Sequence, residues 1–519
     1  MLIFRRFKKI RILALGMIGL ILAFLLNAIP AISQEGKPLR IGTEPTFPPF
    51  EMQDKKTGKL TGFDVELLEA IGAELKRPIE WVSLPFDGLI PALQLGSIDA
   101  AVSGMTITAE RAQTLSFSRP YFKAGLAIAV QENNDSIKSL DDLKGKRIAV
   151  QIGTTGATTA TAIEGAKVSQ FDSAALALQE LLNGKVDAVV NDAAVTLYAV
   201  KEAGLAGVKV VGEQITEEYY GIALPKNSPL VDDINNALTT LLEDGKYDAI
   251  FQRWFSGKVP ALPEVAPALQ GEAKSGFDWG DTFRRLILYG VPWTLLLTSL
   301  SFVFGLLGGT GVALALISPY KWLRTICRIY VDFFRGTPML VQLFIIYFGL
   351  PALFRGIGLD FSLDRLPAAI IALSLNVAAY LAEIMRGGIE SIDKGQWEAC
   401  QSLGMNPVET MKEVIFPQAF RRMLPPLGNE FITLIKDTSL AAVIGFEELF
   451  RQGQLEVATT YKAFQIYIAV ALVYLVLTTL SSYFFKWLEK RMDPLKRAEA
   501  RAKKAAYAAS NDRVTVGSK

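Results

Sequence analysis

"EACQSLGMNPVETMKEVIFPQAF", residues 398–420, is a polar and charged stretch held between two strongly apolar ones. Within it Gly404 suits a sharp helix end, and Asn406-Pro407 favours the start of a new helix with proline in its first turn. Apolar segments lie to either side, at 289–317, 331–353, 367–389, 425–444 and 464–485. Each is long enough to cross a hydrocarbon core, which makes about five spans. Lys321, Arg324 and Arg328, then Lys394, Lys412, Arg421 and Arg422, then Lys486 to Lys504 fall on one side of these spans, and Glu447 and Glu448 on the other. The positive-inside rule therefore places the quoted stretch, both cysteines and the C-terminus in the cytoplasm.

The rest of the composition narrows the chemistry. A chain of 519 residues is too long for one domain, and half of it is hydrophobic. The net charge of +2 gives no reason to expect a nucleic-acid partner. With no histidine and only Cys327 and Cys400, a disulfide framework, a Cys/His zinc site and a Ser-His-Asp triad are excluded, and no GxxxxGK[ST] loop is present for ATP. The chain reads as a non-enzyme. Residues 1–33 combine a basic start, the apolar run 12–26 and Ala31-Ile32-Ser33, which describes a secretory signal or an N-terminal anchor. The residues from 36 up to the first span are therefore expected outside the cell membrane.

From 36 to 258 short β-rich runs such as 39–42 and 147–151 alternate with helical patterns such as 64–75, which favours open sheets covered by helices. Pro260, Pro263 and Pro267 among Ala, Gly and Ser make 259–279 a semi-rigid linker. A transmembrane domain at 280–490 and a basic cytoplasmic tail at 491–519 complete the organisation.

The quoted stretch resembles the EAA signature of ABC-importer permeases, with Glu398-Ala399-Cys400, Gly404 and Val414-Ile415-Phe416-Pro417 standing in its pattern. "FRGTPMLVQLFIIYFGLP" (334–351), "AYLAEIMRGGIESI" (379–392) and "IKDTSLAAVIG" (435–445) extend the resemblance to polar amino-acid permeases across 280–490. It implies an all-α permease domain whose EAA loop, 398–417, forms two short helices hinged at Gly404 and docks on a separate ATPase. Glu398, Ala399, Gly404 and Pro417 would carry that coupling. It further implies a homodimer served by two ATPase copies, which use the ATP, while this chain binds no cofactor of its own. Glu383, Lys436 and Asp437, ionisable at or near membrane depth, are candidates for the translocation path or for helix-end charges.

"IGTEPTFPPFE" (41–51), "GFDVELLEAI" (62–71), "FDGLIPALQLGSIDAAVSGMTITAERAQTLSFSRPYF" (86–122), "DLKGKRIAVQIGTTG" (142–156) and "GKYDAIFQRWF" (245–255) resemble the periplasmic-type binding proteins for polar amino acids. The resemblance implies a two-lobed α/β fold of type II, with lobe 1 at 38–123 and 221–255 and lobe 2 at 126–219, closing on ligand. A free amino acid offers a carboxylate and an ammonium, and burial of both demands a partner for each. The Arg111 fork suits the carboxylate, with Thr154 and Thr155 at a helix start beside it. Asp192, with the Gly104 carbonyl and the Thr106 hydroxyl, suits the ammonium. Taken singly, Arg111 also reads as a first-turn arginine, Asp192 as a helix cap and Gly153-Thr154-Thr155 as a turn.

The resemblance places Phe47 and Phe86 on either side of the ligand side chain and Glu44 near its distal end, with Gln151 where a lysine would mark a narrower glutamine site. An acidic group there favours arginine, lysine, histidine or glutamine over glutamate. The expected function is therefore an importer subunit in a bacterial cytoplasmic membrane, with a glutamate- or aspartate-preferring importer as the alternative. An amino-acid-gated channel fits less well, because the lobes run uninterrupted and no TVGYG-like filter is present.

Overall fold

The chain's β-branched and alanine-rich runs form two five-stranded sheets in a computed structural model that describes residues 36–54, 56–212, 214–267, 278–359 and 361–492. The N-terminal 1–33 segment, residues 268–277 of the linker and the tail beyond 492 lie outside the described residues. In the first sheet Leu39–Thr43 is flanked in parallel by Ile79–Ser83 and Ala100–Ala101, and Ala223–Pro225 and Leu115–Phe117 complete the order. In the second, Arg147–Gln151 lies parallel to Lys167–Phe171 and Ala188–Asp192, and Leu126–Gln131 runs antiparallel beside Ala188–Asp192. Leu126 to Val130 are buried without a break, as a central strand covered on both faces requires.

Two crossings join the lobes. Phe122–Ala124 leaves the first sheet and Glu218–Tyr220 returns to it, paired antiparallel with Tyr219 opposite Lys123. Below the crossings Phe50, Phe63, Phe122, Tyr220 and Phe255 form an aromatic core, with Phe122 4.9 Å from both Phe50 and Phe255. Such edge-on and tilted pairs add to area burial and hold the hinge end of lobe 1 as one body. The described part of the linker is not a free tether, since Ala266 is buried against Ile107 and Tyr219.

Helix Val291–Leu316 packs along Arg365–Glu390 through small residues. A Cβ at Gly305 would lie 2.2 Å from Val377 Cγ1 and one at Gly309 2.9 Å from the Ala378 carbonyl oxygen, so these positions need glycine for the backbones to approach. Among the described residues four helices are long and apolar enough to cross a membrane: Trp279–Leu316, Met339–Gly356, Arg365–Glu390 and Ala463–Met492.

Four of the five expected spans are thus present, the second of them shifted to Met339–Gly356. The 331–353 segment is broken, because helix Lys321–Gly336 ends at Thr337 and Pro338 caps a new helix at Met339. The 425–444 segment is helical as part of Phe416–Asp437 and a 3-10 turn, Thr438–Ile444, but Glu430, Lys436 and Asp437 make it too polar to count by composition. It packs against both Arg365–Glu390 and Ala463–Met492.

The second lobe rests directly on the permease. Glu180 Oε1 accepts from the Tyr347 hydroxyl at 2.6 Å and from Arg365 at 3.0 Å, and the Arg365 guanidinium lies 5.1 Å from the centre of the Phe171 ring.

Candidate ligand-binding site

Arg111 is set in the cleft by its own helix start. Thr108 caps Ala109–Thr114 by accepting from the Arg111 N–H at 3.2 Å, and the side chain turns inward until only 3 % of the residue is exposed. Its guanidinium lies over the Phe86 ring at 5.4 Å and donates to the carbonyls of Thr106 at 2.7 Å and Gly153 at 2.8 Å. Thr106 belongs to lobe 1 and Gly153 to lobe 2, so one side chain fastens the lobes together. Gly104, at φ +50, brings its backbone against Phe47, where an added Cβ would sit 2.6 Å from the ring, and its N–H donates to Asp64 at 3.0 Å. Gly104→Ala is expected to weaken ligand binding at least tenfold while the chain stays folded, which titration of the variant checks.

Lobe 2 supplies groups from strand ends that become helix starts. Thr154 caps Thr155–Thr161, and the Thr155 hydroxyl donates to Glu218 at 2.8 Å. Asp192 ends a strand and caps Ala193–Lys201, accepting from the Val195 N–H at 3.1 Å, and its other oxygen accepts from the Tyr220 hydroxyl. Phe47, Phe86, Gly104, Thr106, Arg111, Gln151, Thr154, Thr155 and Asp192 thus line one small cavity of about 30 Å³. Glu44 stands behind it, buried, and accepts from the Gln151 amide at 2.6 Å and from the Thr46 hydroxyl at 2.7 Å. Sequence reasoning missed Leu126, Asn191, Glu218 and Tyr220, which share the lining. Glu218 accepts from both Thr106 and Thr155 and so also joins the lobes.

Three carboxylates, of Asp192, Glu218 and Glu44, stand in or behind a cleft with one guanidinium. Burial pushes Asp192 up to about 6, opposed by the Tyr220 and Val195 donors and reinforced by the Glu218 charge. Burial pushes Glu44 up to about 7, opposed by Thr46 and Gln151 and reinforced by Asp87 and Asp172. Such a site is poised to accept positive charge, because a cation restores the ionised form that desolvation disfavours.

The transmembrane candidates have different surroundings. Glu383 is clamped by Arg386 at 2.6 Å and Arg328 at 3.2 Å, whereas Lys436 lines a cavity between permease and binding domain. Asp437 is half-buried at the end of its helix. In the EAA stretch, helix Lys394–Ser402 ends before Gly404 at φ +76, as a hinge there requires. The second helix is not short. It begins at Pro407 and continues through a wide turn, Thr410–Ile415, into Phe416–Asp437. That wide turn sits just ahead of Pro417, whose lack of an N–H would leave the Glu413 carbonyl without a donor in a regular helix. Glu398 and Ala399 are exposed on the first helix.

Two hinged α/β lobes over a polar cleft, joined to a bundle of membrane-length helices, define a solute-binding domain fused to a membrane permease. The family model of bacterial extracellular solute-binding proteins, family 3, matches residues 39–257, and that of binding-protein-dependent transport system inner membrane components matches 305–494. Over 206 residues the chain is 43 % identical to a probable amino-acid permease, YxeN of Bacillus subtilis (strain 168), covering 40 % of this chain and 91 % of that protein. Over 224 residues it is 41 % identical to the glutamine transport system permease GlnP of Escherichia coli (strain K12), covering 42 % of this chain and 98 % of that one. A solved ancestral arginine-binding protein bound to arginine is 50 % identical, with a TM-score of 0.42, and covers 43 % of this chain and all of its own. The chain belongs to the amino-acid ABC permeases, with a family 3 solute-binding domain carried on the same polypeptide.

Proposed function

We propose that this chain is the receptor and permease subunit of an importer for basic amino acids and glutamine. It would act as a homodimer with two copies of a separate ATPase, the binding domain outside and the C-terminus inside. The observation that carries the substrate class is the pair Glu44 and Gln151 at one end of a cleft that also holds Arg111 and Asp192. Arg111 offers a fork to the α-carboxylate and Asp192 a charge to the α-ammonium. The Gln151 amide and the carboxylate behind it offer acceptors to a guanidinium, ammonium or amide. A glutamate side chain would meet a carboxylate instead. The glutamine named for the Escherichia coli relative agrees with an amide-accepting site. Lys436, Asp437 and Glu383 stay candidates for the path, with Lys436 facing the cavity under the binding domain.

Calorimetric titration of the full chain in nanodiscs with arginine, lysine, histidine, glutamine and glutamate tests this reading. Arginine or lysine should bind, and Glu44→Gln should weaken it by roughly 10- to 100-fold, the worth of a hydrogen bond to a charged group. Preference for glutamate, or an unaffected variant, would overturn the substrate class.

The pH dependence follows from the same carboxylates. Asp192 at about 6 and Glu44 at about 7 stand above the ordinary carboxylate range near ~4. Between those values the folded form holds more protons than the unfolded one, so these two groups lower the stability of the ligand-free protein as pH rises from about 4 to about 7. A cationic ligand needs both ionised. The rise in Tm caused by arginine should therefore be larger at about pH 8 than at about pH 5, and thermal scans with and without arginine read it. A pH-independent shift would remove these carboxylates from the ligand's charges.

A further inference from the structure

Helix Leu449–Thr460 of the permease reaches both lobes of the binding domain. Glu448 caps it by accepting from the Arg451 N–H at 2.8 Å, which fixes Arg451 in the first turn. Arg451 is 1 % exposed, a burial that a guanidinium tolerates only when its donors are matched. One nitrogen meets Asp172 Oδ1 at 2.5 Å and Gln454 Oε1 at 2.9 Å, and the other donates to the Gln170 carbonyl at 2.5 Å. Asp172 and Gln170 are lobe 2 residues. Two turns along, at Ala458, lobe 1 joins the contact: a Cβ built on Gly153 of lobe 2 would lie 3.8 Å from the Cβ atoms of both Ala458 and Asp87. Asp87, of lobe 1, directly follows the cleft residue Phe86.

Asp87 and Asp172 line the same cavity of about 710 Å³ between the domains, with Gln454 and Lys436 beside them. Burial and the Asp172 charge push the Asp87 carboxyl up, and the Arg451 charge draws it down. Two carboxylates, one from each lobe, repel where water is scarce, and a guanidinium beside them offsets that repulsion. Opening the cleft moves the lobes apart, so a cation at this point gains both partners only from the closed form.

We propose that Arg451 is the residue by which the permease recognises the closed binding domain, its guanidinium serving Asp172 of one lobe and Asp87 of the other. The cleft is tied to this point, because the Gln151 amide that holds Glu44 also reaches the Asp172 carbonyl at 3.3 Å. Docking that prefers the closed form must tighten ligand binding by the factor by which ligand tightens docking. The inference rests on the import reading only in that an amino acid closes the cleft.

Hydrogen exchange on the full chain in nanodiscs tests it, with a mixture of the twenty common amino acids as probe so that a wrong substrate assignment does not interfere. Amino acids should slow exchange of the 449–460 amides at least fivefold in the unmodified chain. Arg451→Gln should abolish that slowing, and it should weaken the ligand that binds the unmodified chain by about fivefold or more. Since Arg451→Gln leaves two half-buried carboxylates without their partner, Arg451→Lys, which keeps a cation beside Asp172 and Asp87, is the control for folding and should recover at least half of the effect. Equal exchange with and without amino acids in the unmodified chain, an Arg451→Gln chain that behaves like it, or an Arg451→Lys chain that recovers nothing would each overturn the proposal. Failure of the substrate assignment would appear separately, in the single-ligand titrations.

Discussion

Arg111→Ala is expected to weaken amino-acid binding by at least about 100-fold and up to about 1,000-fold or more, the range set by removing one partner of a buried charged pair, roughly 3–5 kcal/mol. Two losses combine. The α-carboxylate would enter a buried cleft without its guanidinium, and the carbonyls of Thr106 and Gly153 would lose the donor that now joins the lobes at 2.7 and 2.8 Å. Arg111→Lys should recover less than tenfold of this. A single ammonium cannot reproduce a planar fork that spans two carbonyls, lies over the Phe86 ring and still offers donors to a ligand. Calorimetry with arginine reads both variants. Binding within tenfold of the unmodified chain in Arg111→Ala, or full recovery by lysine, would move the carboxylate site elsewhere.

Arg111 and Asp192 were legible in the sequence as candidates because each is tied to a local element. Arg111 follows its capping threonine, and Asp192 closes an apolar strand and opens a helix. Glu218 and Tyr220 were not legible as site residues. They reach the cleft only because the return crossing pairs with Phe122–Ala124 and Thr106 bridges to Tyr220, pairings that span about a hundred residues. The contacts that seat the binding domain on the permease were further out of reach, since Arg451 and Asp172 stand 279 residues apart. Local chemistry modifies two of the five spans: Pro338 breaks one apolar run, so that its span starts at Met339, and Glu430, Lys436 and Asp437 give another a polar face.

Leu403→Asp is expected to abolish amino-acid uptake, at least about 50-fold, while leaving ligand affinity within twofold and Tm within a degree or two. The EAA stretch is anchored on one side and bare on the other. Cys400, Ile415 and Ala419 are buried, and Trp397, Met411 and Val414 pack on the core of the helical bundle. Leu403 is 80 % exposed and Val408 74 %, on either side of the hinge at Gly404. The turn between them is stiff, because Asn406 and Glu409 form a reciprocal capping box at 2.9 and 3.1 Å and Pro407 occupies the first helical position. Two large apolar side chains held out on a stiff turn beside the exposed Glu398 suit a partner that covers them, and the proposed ATPase is that partner. A charge at 403 would then be buried on docking without a counter-ion, whereas in the free chain it would sit in water at almost no cost. Gly404→Val should impair uptake by the other route, since a β-branched residue at φ +76 is strained by roughly 1–3 kcal/mol and would swing the first helix away from the second. Uptake of labelled arginine by cells carrying each variant, compared with binding by the purified chains, separates coupling from recognition. Undiminished uptake in Leu403→Asp would show that the ATPase engages a different surface.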